Sequence, residues 1–135
     1  MNTVNILVIE NNDDHIAIIK ILNKEFNFNI DVAHNHFEFL NLVTSHFNYS
    51  LVLVDLSLDY RFEGLDIMKS YKKLGLNSKI YAYTSEKIDE QEYIQFGFDG
   101  VIRKKFLELK NLFQSLVKSP HANQSVVISK KPDIN

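Results

Sequence analysis

The sequence of 135 residues contains no cysteine, and no apolar run in it approaches the roughly 18 residues that a membrane-crossing helix needs. Disulfides and thiolate chemistry are therefore excluded, and no transmembrane helix is expected. The first five residues lack the basic and apolar regions of a secretory signal peptide. The net charge is only −2, from 15 Lys and Arg against 17 Asp and Glu, which gives no electrostatic reason to bind nucleic acid or a membrane. These absences favour a cytoplasmic protein that binds neither.

The remaining composition, 45% hydrophobic and 24% charged, is ordinary for a globular domain with one full core. Short apolar runs alternate with segments of helical periodicity, which is typical of repeated βα units. This strict alternation predicts an α/β fold, a doubly wound, five-stranded parallel sheet with helices on both faces, in a single domain. Because crossovers between parallel strands are right-handed, we predict the flavodoxin-like strand order 2-1-3-4-5. The predicted strands span residues 4–9, 29–33, 51–55, 79–83 and 100–103.

Five helices follow these strands, and their apolar spacing predicts which residues face the sheet. The first is capped by Asn12 or Asp13, the second spans about 35–47, the third begins at Gly64, the fourth spans about 89–96, and the last begins near Phe106. The expected inward residues are Ile16, Ile19, Leu22 and Phe26, then Phe37, Leu40, Val43 and Phe47, then Leu65, Met68, Tyr71 and Leu74, then Tyr93, Ile94 and Phe96, and finally Phe106, Leu109, Leu112, Phe113 and Leu116.

The C-terminal segment differs in character from the rest of the chain. Residues 1–118 are expected to form the domain, whereas residues 119–135 contain both prolines and little periodicity and are expected to form a mobile tail. Within this tail, residues 125–128 are the one run with the character of an edge strand.

The run LVLVDL at 51–56 is the most informative segment, because a buried strand there ends in the carboxylate of Asp55. Open α/β sheets form their sites at the carboxyl ends of strands, and the predicted order places Glu10 and Asp55 together at the switch point. Two other strands end at Thr84 and just before Lys104. Acids, a hydroxyl and a lysine are therefore expected at one edge of the sheet.

Together these residues resemble the receiver domain of two-component response regulators, over about residues 4–118. The resemblance implies a CheY-like protein that accepts a phosphoryl group from a sensor histidine kinase or phosphotransfer protein and signals to a downstream protein target. It also implies that the chain is not an enzyme, apart from catalysing its own phosphorylation and dephosphorylation. The implied oligomeric state is a monomer or weak dimer. The matching segments are ILVIEN at 6–11, LVDL at 53–56 with GLD at 64–66, IYAYTS at 80–85 and GFDGVIRK at 97–104.

The resemblance also implies residue roles. Asp55 is the phosphoacceptor, a carboxylate nucleophile, and Lys104 offsets charge on the phosphoryl oxygens. Thr84 hydrogen-bonds the phosphoryl group after transfer and moves towards it. Mg²⁺ is the implied cofactor, and it prefers few carboxylates plus waters. Its implied ligands are Glu10, Asn11, Asp55 and the backbone carbonyl of Ser57, while Ser57 and Glu86 tune phosphoryl lifetime and Ser85 is suitably small.

Four positions depart from the family pattern. Asn11 stands where a second acid is usual, which removes one of three negative charges and predicts weaker Mg²⁺ binding. Lys105 replaces the usual proline, and Asp59 replaces a common proline in a loop that is one residue longer than usual. Val101 replaces a switch tyrosine or phenylalanine, so we expect a smaller change on the face of strand 4, helix 4 and strand 5. The aromatic residues that could substitute are Tyr83 and Phe98.

The Lys104–Lys105 peptide is expected to be trans, because before a residue other than proline the cis form costs roughly 3–4 kcal/mol. The resemblance implies that the usual cis bond helps to aim the lysine. We therefore expect Lys104 to be aimed less firmly at Asp55.

Other functions stay open at this point. A pseudo-receiver that signals by binding alone is the main alternative, since Asn11 and Lys105 permit a degenerate site. A phosphatase with an Asp nucleophile requires a second acid two residues on, where Ser57 stands. A flavodoxin-type FMN site requires a Ser-, Thr- or Gly-rich loop after the first strand, but residues 10–14 are acidic and would repel phosphate. The five scattered histidines predict no metal site; His15, His46 and His121 are expected at the surface, and His34 and His36 at a helix start.

Overall fold

Ten alternating strands and helices form the fold in the computed structural model, which describes residues 4–45, 49–60, 62–86 and 89–118. The sheet has the order β2-β1-β3-β4-β5 with every neighbouring pair parallel, which confirms the predicted fold. The elements are β1 Asn5–Ile9, α1 Asp13–Phe26, β2 Asn29–Ala33, α2 His36–Ser45, β3 Leu51–Val54, α3 Glu63–Lys73, β4 Lys79–Thr84, α4 Glu90–Phe96, β5 Gly100–Arg103 and α5 Phe106–Lys118.

The neighbouring strands β1 and β3 lie inside the sheet, and apart from Asn5 they are apolar on both faces because helices cover both sides of the sheet. Their register pairs Ile9 with Val54, and the Asp55 amide continues the ladder by donating to the Ile9 carbonyl at 2.9 Å. Glu10 and Asp55, which follow directly, are therefore brought to the same carboxyl edge.

Helix α1 begins as predicted, with Asn12 as its cap. The Asn12 side chain accepts from the His15 amide at 3.0 Å, satisfying one of the free donors at the helix start. The predicted inward residues Ile16, Ile19 and Leu22 are buried. This cap matters for the site because it sets the rotation of α1 directly after Glu10.

Helix α2 corrects the predicted inward face. Phe37 is 72% exposed and Leu40 is 39% exposed, whereas Phe39 and Val43 are buried; Phe47 lies outside the described residues. The helix carries two overlapping apolar stripes, and spacing alone does not choose between them. The cap at Asn35, whose Oδ1 accepts from the Glu38 amide at 2.9 Å, sets a rotation that places Phe39 in the core.

Several other predicted inward residues are also exposed. Leu74 and Phe106 are about half exposed, and Ile94 and Phe96 of the short helix α4 are similarly exposed, so those parts of the predicted faces are wrong. Leu74 and Phe106 lie at helix ends, where packing neighbours exist on one side only, and α4 is too short to bury more than Tyr93. The buried apolar side chain of α3 that the pattern missed is Ile67.

The tail at 119–135, including the strand-like run at 125–128, lies outside the described residues. Within the described ranges, no helix has the length and apolar character that spanning a membrane requires.

Candidate functional site

The site lies where β1, β3, β4 and β5 end, and Asp55 is at its centre. One carboxylate oxygen of Asp55 accepts from the Ser57 amide at 3.2 Å, so the loop after β3 folds back over the side chain. The Gly64 amide closes this loop by donating to the Leu56 carbonyl at 2.9 Å. Gly64 has to be glycine, because a Cβ there would overlap the Asp55 carbonyl oxygen.

Lys104 joins the two acids of the site. Its Nζ is 2.6 Å from Glu10 Oε1 and 3.2 Å from Asp55 Oδ2, and its side chain is only 6% exposed. The Glu10 side chain is fully buried, and its second oxygen accepts from the Asn12 amide at 3.2 Å. Nζ also lies 5.2 Å from the ring centroid of Tyr83, a distance suited to a cation–π contact. One buried ammonium therefore serves two carboxylates.

The Lys104–Lys105 peptide is trans, since no cis bond occurs among the described residues, and this confirms the prediction. The expected weaker aim at Asp55 stays a prediction: Nζ lies 3.2 Å from Asp55 but is nearer to Glu10, at 2.6 Å. Before the junction, the Lys104 amide donates to the Thr84 carbonyl at 2.8 Å, which extends the β4–β5 ladder. Strand pairing, rather than the following peptide, sets the position of this lysine.

The environment of Asp55 makes it a weaker acid than usual. Burial raises the pKa of Asp55 from its ordinary value of 3.8 to about 6, and the neighbouring Glu10 carboxylate adds to the rise while the Lys104 ammonium opposes it. At neutral pH the carboxylate is still mostly ionised, so it retains nucleophilic character.

Thr84 ends β4 at the same edge and is buried. Its Oγ1 accepts from the Glu86 amide at 3.0 Å. Behind it, the Tyr93 hydroxyl of α4 is buried and has no hydrogen-bond partner of good geometry in the part of the chain that is described. Thr84 is close enough to that hydroxyl to lower its pKa, although burial outweighs this and raises it.

Asn11 is exposed at the mouth of the site. Its side-chain nitrogen donates to Asp59 Oδ1 at 3.3 Å, and no hydrogen bond to its side-chain oxygen is found among the described residues. A cleft of about 230 Å³ opens here between Asn11, Ser57, Thr84, Glu86 and Lys104, with Asp55 in its wall. Of the sequence-predicted site residues, Asn11, Asp55, Ser57, Thr84 and Lys104 line this cleft, whereas Glu10 is fully buried behind it and contacts Lys104.

The side chain of His15 is 32% exposed, in keeping with the predicted surface position, but it also belongs to the site. Its Nδ1 lies 3.1 Å from Lys104 Nζ and 3.4 Å from Glu10 Oε1, so the ring lines the cleft. The signal was available in the sequence: a residue three positions after the cap Asn12 lies over the first turn of α1, beside the end of β1.

Glu63 was not predicted from the sequence to be buried, but its carboxylate is buried beside the loop after β3. Elsewhere, His34 contacts Glu38 and His36 contacts Ser70. Across the described ranges, no group of three or more His, Asp or Glu side chains is arranged to hold a metal ion.

Val101 is half buried and packs against the core, and Tyr83 and Phe98 are both buried. A second, more open cleft of about 430 Å³ lies along β5 beside Val101, with Gly100 and Tyr81 in its wall.

A family model for the response regulator receiver domain matches residues 6–117. This chain belongs to the receiver domain family. Receiver domains generally bind Mg²⁺ in their acid pocket and interact with kinases and effectors. No curated protein matches the sequence of this receiver domain.

Solved structures agree on the fold. A Francisella response regulator receiver domain has 21% identity and a TM-score of 0.74, covering 87% of this chain and 98% of that one. A CheY-like receiver domain from Methylobacillus flagellatus has 23% identity and a TM-score of 0.70, covering 85% and 99%. One from Methanospirillum hungatei has 18% identity and a TM-score of 0.72, covering 87% and 96%. At these identities the likeness concerns the fold alone.

Proposed function

We propose that this receiver domain accepts a phosphoryl group on Asp55 from a sensor histidine kinase or phosphotransfer protein and signals through protein contacts. The observation that carries the proposal is the position of Lys104, a buried ammonium within 3.2 Å of the Asp55 carboxylate and facing the cleft. A cation there stabilises the negative charge that spreads over a transferring phosphoryl group.

In the proposed transfer, an Asp55 carboxylate oxygen attacks phosphorus as the bond from phosphorus to the donor histidine nitrogen breaks. The leaving imidazole nitrogen keeps the electron pair of that bond. Lys104 contacts a phosphoryl oxygen, and the Thr84 hydroxyl, which accepts from the Glu86 amide in this structure, donates its O–H to another phosphoryl oxygen. The chain acts on no separate substrate in this scheme and catalyses only its own phosphorylation and dephosphorylation.

The donor chemistry at the cleft fits Mg²⁺, which prefers oxygen ligands. The residues proposed to hold it are Glu10, Asn11 through its side-chain oxygen, Asp55, and Ser57 through its backbone carbonyl. When bound, the ion would neutralise phosphoryl charge. With two carboxylates and Lys104 already paired to both of them, we expect this site to be weaker than one with a third acid.

A phosphoryl donor of low molecular weight tests the proposal directly. Acetyl phosphate or phosphoramidate with Mg²⁺ should add one phosphoryl group to the wild type, read by intact mass, and Asp55→Asn should abolish the addition. Asp66→Asn is a matched control, because this exposed carboxylate of α3 contacts Tyr60 and does not line the cleft. That variant should be phosphorylated like the wild type.

A phosphorylation-independent pseudo-receiver is the second candidate. Two features favour it. Glu10 is fully buried and already paired with Lys104 at 2.6 Å, and Asn11 is an amide where the family usually has an acid. A wild-type protein that stays unmodified at saturating donor and Mg²⁺ would support this candidate against the first.

A further inference from the structure

Glu63 is a buried carboxylate that lies outside the cleft and has no part in the proposed transfer. It is the first residue of α3 and is 2% exposed. Its Oε1 accepts from the Asp59 amide at 2.8 Å, and its Oε2 accepts from the His36 amide at 2.7 Å. Each oxygen therefore binds one backbone N–H, one from the loop after β3 and one from the first residue of α2.

A buried carboxylate is costly unless its charge is compensated. Among the described side chains, no Lys, Arg or His forms a salt bridge with Glu63; the compensation comes from the two N–H groups. The positive ends of two helix dipoles add to it, since Glu63 and His36 are the first residues of α3 and α2. An apolar residue here would avoid burying a charge but would leave the N–H groups of Asp59 and His36 without these acceptors, so the carboxylate holds these two segments together.

The contacts form a connected path to the mouth of the cleft. His36 Nε2 lies 3.1 Å from Ser70 Oγ, which fixes the start of α2 against α3. Glu63 then connects the start of α2 to the backbone amide of Asp59. The Asp59 side chain in turn accepts from the side-chain nitrogen of Asn11 at 3.3 Å. Ser57 lies only two residues before Asp59 in the same loop.

We propose that Glu63 is a positioning residue for the metal ligands Asn11 and Ser57, an inference that rests on the proposed function of the cleft. With Asp59 fixed by Glu63, its carboxylate accepts from the side-chain nitrogen of Asn11, and the oxygen of the same amide is the atom proposed to bind the cation. The same contact limits the motion of the loop that carries the Ser57 carbonyl. Residues 56–62 contain no proline to restrict the backbone, so a tie of this kind limits the conformations of the loop.

Titration calorimetry with MgCl₂, without any phosphoryl donor, tests the inference. Glu63→Gln keeps one accepting oxygen and loses the other, and Mg²⁺ affinity should fall about tenfold, as is usual when a partner of a metal ligand is removed. Phosphorylation by acetyl phosphate at saturating Mg²⁺ should stay close to the wild-type rate, so that the loss lies in metal saturation and not in transfer.

Glu38→Gln is the matched control. Glu38 also accepts from a backbone amide beside α2, that of His34, two residues before the helix, at 2.8 Å, but it makes no described contact with the loop after β3. This variant should lose thermal stability and keep wild-type Mg²⁺ affinity. Equal Mg²⁺ affinity in Glu63→Gln and wild type, or equal losses in both variants, would overturn the inference while leaving phosphorylation of Asp55 intact.

Hydrogen exchange of the wild type provides a test that does not depend on whether the variant folds. The amides of Asp59 and His36 should exchange slowly, and MgCl₂ should slow Asp59 further while leaving His34 unchanged. Fast exchange at Asp59, in the absence and presence of Mg²⁺, would overturn the inference. A wild type that binds no Mg²⁺ by calorimetry would remove the metal site itself, and the inference with it.

Discussion

Asp55→Asn should stabilise the metal-free protein at neutral pH, although it removes the residue on which the proposed function depends. Raising the pKa of Asp55 from 3.8 to about 6 means that the ionised carboxylate is disfavoured in the fold. Since one pKa unit equals about 1.4 kcal/mol, the cost is about 3 kcal/mol above pH 6. Asparagine has nearly the shape of the protonated acid and avoids this cost.

The pH dependence gives the prediction its sign. A group whose pKa is raised by folding stabilises the fold fully below its unfolded pKa, and that contribution is lost as the pH rises through the folded pKa. The wild type should therefore lose stability relative to Asp55→Asn between about pH 4 and pH 6. The free energy of unfolding of Asp55→Asn should exceed that of the wild type by almost nothing at pH 4 and by up to about 3 kcal/mol at pH 7.5.

Urea unfolding with a chelator at the two pH values measures this difference. Mg²⁺ at ten times its Kd should stabilise the wild type alone by about 1.4 kcal/mol and narrow the gap. Asp66→Asn, as a control, should change stability by less than about 0.5 kcal/mol at either pH. A destabilised Asp55→Asn at pH 7.5, or a difference that does not vary with pH, would refute the reasoning.

Three further predictions follow from the structure. Asn11→Asp should tighten Mg²⁺ binding by roughly tenfold in calorimetry, because it restores a charge near the cation; equal or weaker affinity would contradict this. Tyr93→Phe should keep the free energy of unfolding of the wild type in urea or raise it by up to about 1 kcal/mol, since the hydroxyl it removes is buried without a hydrogen-bond partner of good geometry among the described residues. A variant that is less stable than the wild type by more than about 1 kcal/mol would show that the hydroxyl does make a stabilising hydrogen bond. Phe39→Ala should cost about 3–5 kcal/mol and Phe37→Ala less than about 0.5 kcal/mol, since only Phe39 is buried; equal losses would reverse the rotation of α2.

The parts of the site that lie at strand ends could be predicted from the sequence. Asp55, Thr84 and Lys104 each follow a short apolar run, and once the strand order is known the parallel register brings them to one edge. That step needs only the alternation of strands and helices, because right-handed crossovers leave few topologies.

The parts that depend on helix rotation or loop conformation could not be predicted in the same way. Phe37 and Phe39 are both plausible inward residues by spacing, and a cap at Asn35 decides between them. Glu63 is an acid at a helix start, which usually means a solvated residue. Its burial depends on two backbone amides: that of His36, which is distant in the sequence, and that of Asp59, which lies in the loop before α3. No local sequence pattern predicts that these two amides contact Glu63.

The ring of Tyr83 beneath the Lys104 ammonium gives the molecule a built-in optical reporter. The sequence has six tyrosines and no tryptophan, so ultraviolet emission comes from tyrosine alone. The Tyr83 ring is buried and lies 5.2 Å from the charge that both acids share. Any event that draws Lys104 away from Glu10 changes the electrostatic surroundings of this one ring. The tyrosine emission intensity of the unlabelled protein can therefore report movement of Lys104 in real time. In Tyr83→Phe, the part of the emission that responds to this movement should be absent.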